Sequence, residues 1–158
     1  MSEHPRLALR RLPPDAVQFQ VILGSLLGDG HLVGIAGARR LRIVHRAERA
    51  AYALWKYERL GALADAPPRL RGDGRLELRT IAHPLFDDLA TMFGDGRDRE
   101  VPARAHRRGA PARARRREAL ELLTPLGLAV WMADLDRLEL RADAFLPAQR
   151  EEALPAQR

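Results

Sequence analysis

The period of the apolar positions changes several times along this chain, and each change marks a new element. From Asp15 to Gly28 the apolar residues Val17, Val21, Ile22, Leu26 and Leu27 keep helical spacing. Asp15 is a good N-cap with Gln18 three positions on, the capping-box spacing, and Pro13 and Pro14 stop the helix from extending backwards. So few polar positions remain that this helix should be buried on most sides. Gly24 and Gly28 lie four apart on one face, and each lowers helix stability by about 1 kcal/mol relative to alanine. A face kept small so that a second helix can come close would explain both.

After Gly30 the period becomes two. His31 to Ile35 and Arg39 to His45, separated by Ala36, Gly37 and Ala38, read as a hairpin with a glycine-containing turn. In its second strand Arg40 and Arg42 share one face and Leu41 and Ile43 the other. Helical spacing returns from about Ala47 to Leu63, with Ala50, Leu54, Tyr57 and Leu60 or Gly61 as the apolar stripe and Trp55 beside it. Pro67 and Pro68 break the chain before a second hairpin: Arg69 to Arg71, a Gly72-Asp73-Gly74 turn, and Arg75 to Ile81. Leu76 and Leu78 take one face there, and Arg75, Glu77 and Arg79 the other. His83 and Pro84 open a helix that runs to about Phe93 and is closed by Gly94 and Gly96. The order helix, hairpin, helix, hairpin, helix predicts an α+β domain. Its four-stranded antiparallel sheet should carry helices on one face and arginines on the other.

From Val101 to Arg117 come seven arginines, two prolines and no acid, which is either a solvated linker or a loop laid along a phosphate backbone. A last helix is expected near Thr124, with Pro125 at its first position, running through Leu126, Leu128, Val130, Trp131 and Met132 to Asp134. Beyond it only Leu138 to Leu140 looks strand-like, with a weak helix near Gln149 to Leu154. The pentapeptide LPAQR occurs twice in this tail, eight residues apart, a period too short to define a repeat fold.

Composition narrows the classes further. At 158 residues one globular unit is the default. The absence of cysteine removes disulfides and thiolate zinc sites and fits a reducing cytoplasm. His31, His45 and His83 show no metal-ligand spacing, so zinc is not expected. Neither a signal peptide nor a membrane span is read, and no phosphate-loop glycine pattern or nucleophilic serine motif occurs. Of the 27 basic residues all but Lys56 are arginine, and the net charge of +6 is uneven. Six acids against four arginines from Asp134 onward leave +8 on the first 133 residues. A basic body of this kind favours a polyanion, because each phosphate neutralised releases condensed counterions.

The stretch Ile22 to Leu32, ILGSLLGDGHL, resembles a first motif of the LAGLIDADG homing-endonuclease family, with Asp29 and Gly30 at the motif's closing acidic and glycine positions. The resemblance continues through Tyr52, Trp55, Lys56 and Tyr57, then Arg79-Thr80 with His83-Pro84, and then Leu122 to Leu128, which lead a second motif. It implies an αββαββα repeat with a four-stranded sheet, plus a second motif helix and a shortened second repeat. It also implies motif helices packed through Gly24 and Gly28, and carboxylates at their C-terminal ends beneath a DNA-straddling saddle. Asp29 would hold Mg2+ with help from Gly28, and hydrolysis would use Asp29 with Asp134 or Asp136. The second motif departs from the pattern: Leu135 falls at the position of Asp29 and Asp136 at that of Gly30, while Asp134 sits one residue early, about 100° away around a helix.

The expected organisation is an N-terminal arm (1–14), a first repeat (15–97), a basic linker (98–117) and a truncated second repeat (118–158). Double-stranded DNA is the expected partner, with RNA as the alternative, and the chain is expected to be a monomer with an internal pseudo-repeat or a weak homodimer. Three functions stay open. One is a magnesium-dependent site-specific DNA endonuclease. Another is a binding protein that keeps Arg40, Arg42, Arg69, Arg71, Arg75 and Arg79 but no longer cuts, as a regulator or intron maturase. The third is a non-functional remnant of a mobile gene.

Overall fold

A computed structural model describes residues 8–93 and 117–135 of the chain. Asp136, the tail segments near 138–140 and 149–154, and the basic segment up to residue 116 lie outside the described residues. The elements in order are α1 (Ala16–Leu27), β1 (Gly30–Val33), β2 (Arg40–Arg46), α2 (Ala50–Leu60), β3 (Arg69–Leu70), β4 (Arg75–Arg79), α3 (Leu85–Phe93) and α4 (Pro125–Asp134). Short 3-10 turns flank α2 at Ala47–Arg49 and Gly61–Leu63. The antiparallel strands are arranged β1-β2-β4-β3.

The capping box forms as the sequence predicts. The Asp15 carboxylate accepts from Gln18 N–H at 2.8 Å, and Asp15 N–H donates to Gln18 Oε1 at 2.9 Å. The same glutamine amide donates to Leu60 O at 2.9 Å, tying the start of α1 to the end of α2. Gly34 and Gly37 adopt φ values of 97° and 79°, which is why the first hairpin turns where it does. A Cβ on Gly34 would stand 2.8 Å from Ala38 O.

Register decides what each sheet face presents. Arg42 stands opposite Arg79, Arg46 opposite Arg75, and Glu77 lies between Val44 on one side and Arg69 on the other. The opposite face carries Leu32, Leu41, Ile43, His45 and Leu78, all buried, against Val21, Ile22, Leu26, Leu60, Phe86 and Leu89. Burying such side chains, about 1.5–3 kcal/mol each, is what holds helices and sheet together.

Helix α4 packs along α1, and small residues decide how closely. A Cβ on Gly24 would meet Gly127 O at 2.4 Å, and one on Gly28 would meet Asp134 Cβ at 2.3 Å. The buried Gln20 amide brackets the entry to α4, donating to Leu122 O at 3.0 Å and accepting from Thr124 N–H at 2.9 Å.

The face of α2 differs from the expected stripe. Its buried residues are Ala53, Lys56 and Leu60, whereas Ala50 and Leu54 are exposed. The buried face lies one position from the apolar stripe because it includes a lysine, which reads as polar, and one residue turns a helix by about 100°.

Candidate functional site

The C-terminal ends of α1 and α4 meet below the sheet, and the residues there come from four elements. Gly28 closes α1, donating its N–H to Gly24 O and Ser25 O, and Asp29 follows it toward solvent. Leu135 closes α4, and Asp134 just before it lies against Gly28 of α1. Strand β2 contributes His45 from its buried face, and α2 contributes Tyr52 and Lys56.

Asp134 is fully buried and its charge is matched. The Lys56 ammonium, also without exposure, donates to Oδ1 at 2.6 Å and to Oδ2 at 2.8 Å. Asp29 N–H adds a contact to Oδ2 at 3.3 Å. Burial pushes the Lys56 pKa down from 10.5, against the pull of Asp134 and Asp29. The 2.6 and 2.8 Å distances are those of an ion pair, in which the attraction of opposite charges at close range opposes that burial. Tyr52 donates its hydroxyl to Val130 O at 3.1 Å, and Arg49 bonds Ala133 O. Burial first, and the Asp134 charge second, push the Tyr52 hydroxyl far above its ordinary pKa of 10.0, so it stays a donor. Two cations and a hydroxyl therefore cover the negative end of α4, where the helix dipole favours them.

Asp29 is different. Its side chain is 41% exposed, and Oδ2 lies 3.4 Å from His45 Nδ1. The imidazole is 1% exposed, with Nε2 4.0 Å from Asp134 Oδ1. Neither ring nitrogen makes a hydrogen bond among the described residues. The Tyr52 ring packs on it at 5.2 Å between centroids.

The other expected positions fall as follows. Arg40, Arg42, Arg69, Arg75 and Arg79 lie on the outer sheet face by register, and Arg46, which the sequence reading placed beyond the strand, joins them. Glu77 organises the face. It accepts from Arg42 at 2.7 Å and Arg79 at 2.5 Å, with Arg71 at 3.7 Å. Burial alone would raise its pKa, but the hydrogen bonds from Arg42 and Arg79 outweigh that and hold it below 4.5. Arg40 pairs with Asp65 at 3.5 Å. His83 is structural: its Nδ1 accepts from Leu85 N–H at 3.1 Å and its Nε2 bonds Leu12 O at 2.9 Å.

Magnesium held between carboxylates from both motif helices does not fit the described residues. Asp29 is available, but both Asp134 oxygens are taken by Lys56. The sequence reading missed His45 and Lys56. Parity along β2 placed His45 with Leu41 and Ile43, and Lys56 is the one lysine among 26 arginines.

The profile of the LAGLIDADG DNA endonuclease family matches residues 19–108. The chain belongs to that family. Among curated relatives it is 34% identical to Protein RecA of Mycolicibacterium flavescens over 122 residues, 74% of this chain and 25% of that protein. It is 32% identical to Protein RecA of Mycobacterium gastri over 150 residues, 90% of this chain and 31% of that protein. The chain thus spans between a quarter and a third of these relatives. A solved structure titled the homing endonuclease I-WcaI bound to its DNA recognition sequence aligns with a TM-score of 0.49 and 17% identity, covering 80% of this chain and 60% of that one. No helix among the described residues is long and apolar enough to cross a membrane.

Proposed function

We propose that the chain is a duplex-DNA-binding protein of this family that does not cut both strands. The observation that carries the reading is the outer sheet face, where Arg40, Arg42, Arg46, Arg69, Arg75 and Arg79 alternate along three adjacent strands. Arginines spaced along antiparallel strands suit a major groove, where some read guanine edges and others hold phosphates. Glu77 fixes the direction of Arg42 and Arg79, so part of the face is ordered before DNA arrives. The deep, narrow major groove of A-form RNA would not admit the sheet. A monomer is the working unit, because the small-residue face of α1 is already covered by α4 of the same chain.

The proposed loss of double-strand cutting rests on the occupied Asp134 and on a leucine, Leu135, at the motif's carboxylate position; among the described residues Asp29 is the carboxylate of the two helix ends that is open to solvent. Asp29 on its own would support at most slow nicking.

The test is a fluorescence titration of B-form DNA and A-form RNA duplexes across salt concentrations. Log affinity for DNA should fall linearly with log salt, with a slope of about 0.9 per phosphate contacted. A flat response, no binding at low salt, or tighter binding of the RNA duplex would overturn the reading.

A further inference from the structure

Three groups below the sheet present one ligand atom each within 4.8 Å of one another: Asp29, His45 and Asp134. They are not equivalent. Asp134 has both oxygens on the Lys56 ammonium and sits in the helix seam, so a metal drawing on it would have to displace a buried ion pair. His45 and Asp29 have no such competitor. The imidazole is buried with two nitrogens lacking hydrogen-bond partners among the described residues. A buried polar group left unmatched costs about 1–3 kcal/mol, and a native structure that carries one calls for a ligand or a role.

From these residues we infer that Asp29 and His45 form the seat of a single borderline divalent metal ion, of the cobalt(II) or zinc class rather than magnesium. Two ligands each about 2.1 Å from a tetrahedral metal stand about 3.4 Å apart. Asp29 Oδ2 and His45 Nδ1 are 3.4 Å apart without any movement. The donor set sets the metal class. Magnesium asks for oxygen ligands in an octahedron, whereas imidazole suits zinc and its neighbours. The exposed side of Asp29 leaves further coordination positions to water or an incoming oxygen ligand. Asp134 and its lysine form a net-neutral pair alongside, and the carbonyl end of α1 adds negative potential, about half a charge. The ligands come from a helix end and a strand 16 residues later, a pairing that sequence spacing does not reveal.

The test uses the metal-free protein without DNA, so its failure is separate from failure of the DNA-binding reading. Cobalt(II) is titrated while the visible absorption of the ion is followed, with magnesium as competitor. One equivalent should bind with a low-symmetry spectrum, and about a hundredfold excess of magnesium should not displace it. His45→Ala should weaken binding by about tenfold or more and change the spectrum. Asp29→Asn does the same in a half-exposed position whose change leaves the fold intact, as the thermal midpoint verifies. Absence of cobalt binding, displacement by magnesium, or affinity kept in a folded Asp29→Asn variant would each overturn the inference.

Discussion

Helix α1 ends in a carboxylate that faces solvent beside an imidazole, whereas α4 ends in one that is closed off by an ammonium. The two helices pack through the same kind of small-residue face, Gly24 and Gly28 on one and Gly127 on the other. Equal packing has not kept equal chemistry. The carboxylate of α4 has become part of the seam, with Lys56, Tyr52 and Arg49 holding it and the backbone around it. That of α1 makes only loose contacts and is free to act on something else. Within this pair of helix ends, burial separates an acid held in the seam from one open to solvent.

Changes at the two ends should therefore have unequal effects. Lys56→Met leaves the buried Asp134 carboxyl without its cation, and should lower stability by about 3–5 kcal/mol in urea unfolding. The double variant Lys56→Met with Asp134→Asn should recover most of that loss. Asp29→Asn should stay within about 0.5 kcal/mol of the natural protein, as half-exposed surface changes do. Equal losses at Lys56 and Asp29 would erase the distinction between the ends.

The seam itself comes next in size. Gly24→Ala gains about 1 kcal/mol of helix propensity but drives a methyl into Gly127 O and Val130. Overpacking of this kind costs about 1–3 kcal/mol, so a net loss of stability and a lower thermal midpoint are expected. A stabilised Gly24→Ala would mean that the helices do not approach as closely as the structure places them.

The smallest effect belongs to the sheet face. Glu77 has a folded pKa below its ordinary 4.5, so the stability it confers is fully present above pH 4.5. It is lost as pH falls through the lower folded value. Glu77→Gln should flatten that part of the acid unfolding profile, and an unchanged profile would deny the arginine network its role.

How much of this was legible before the structure depends on the kind of signal. The capping box at Asp15 and Gln18, the glycine turns and the alternation in both hairpins are local, and they appear where the sequence put them. The two glycines of α1 also pointed correctly to a close helix partner. Lys56 was missed because its burial depends on Asp134, 78 positions away, and no local pattern marks a charged residue as interior. In a chain that otherwise uses only arginine, the single retained lysine was the available clue: a compact ammonium fits between two helices where a guanidinium is too wide. His45 was legible as a buried position from strand parity, but its neighbours Asp29 and Asp134 come together only in the folded seam. Arg46 was lost to a strand boundary drawn one residue short.

The central claim is that one helix end retains chemistry and the other does not, and strand cleavage tests it most directly. The natural protein, Asp29→Ala and Leu135→Asp are compared on a library of supercoiled duplex targets, with magnesium or cobalt(II) supplied. All three should bind DNA, Asp29→Ala at least as well as the natural protein because it removes a negative charge near phosphates. The natural protein should yield no linear product and at most slow nicking that Asp29→Ala abolishes. Efficient double-strand cutting by the natural protein would contradict the account and place a working second carboxylate at Asp134 or Asp136.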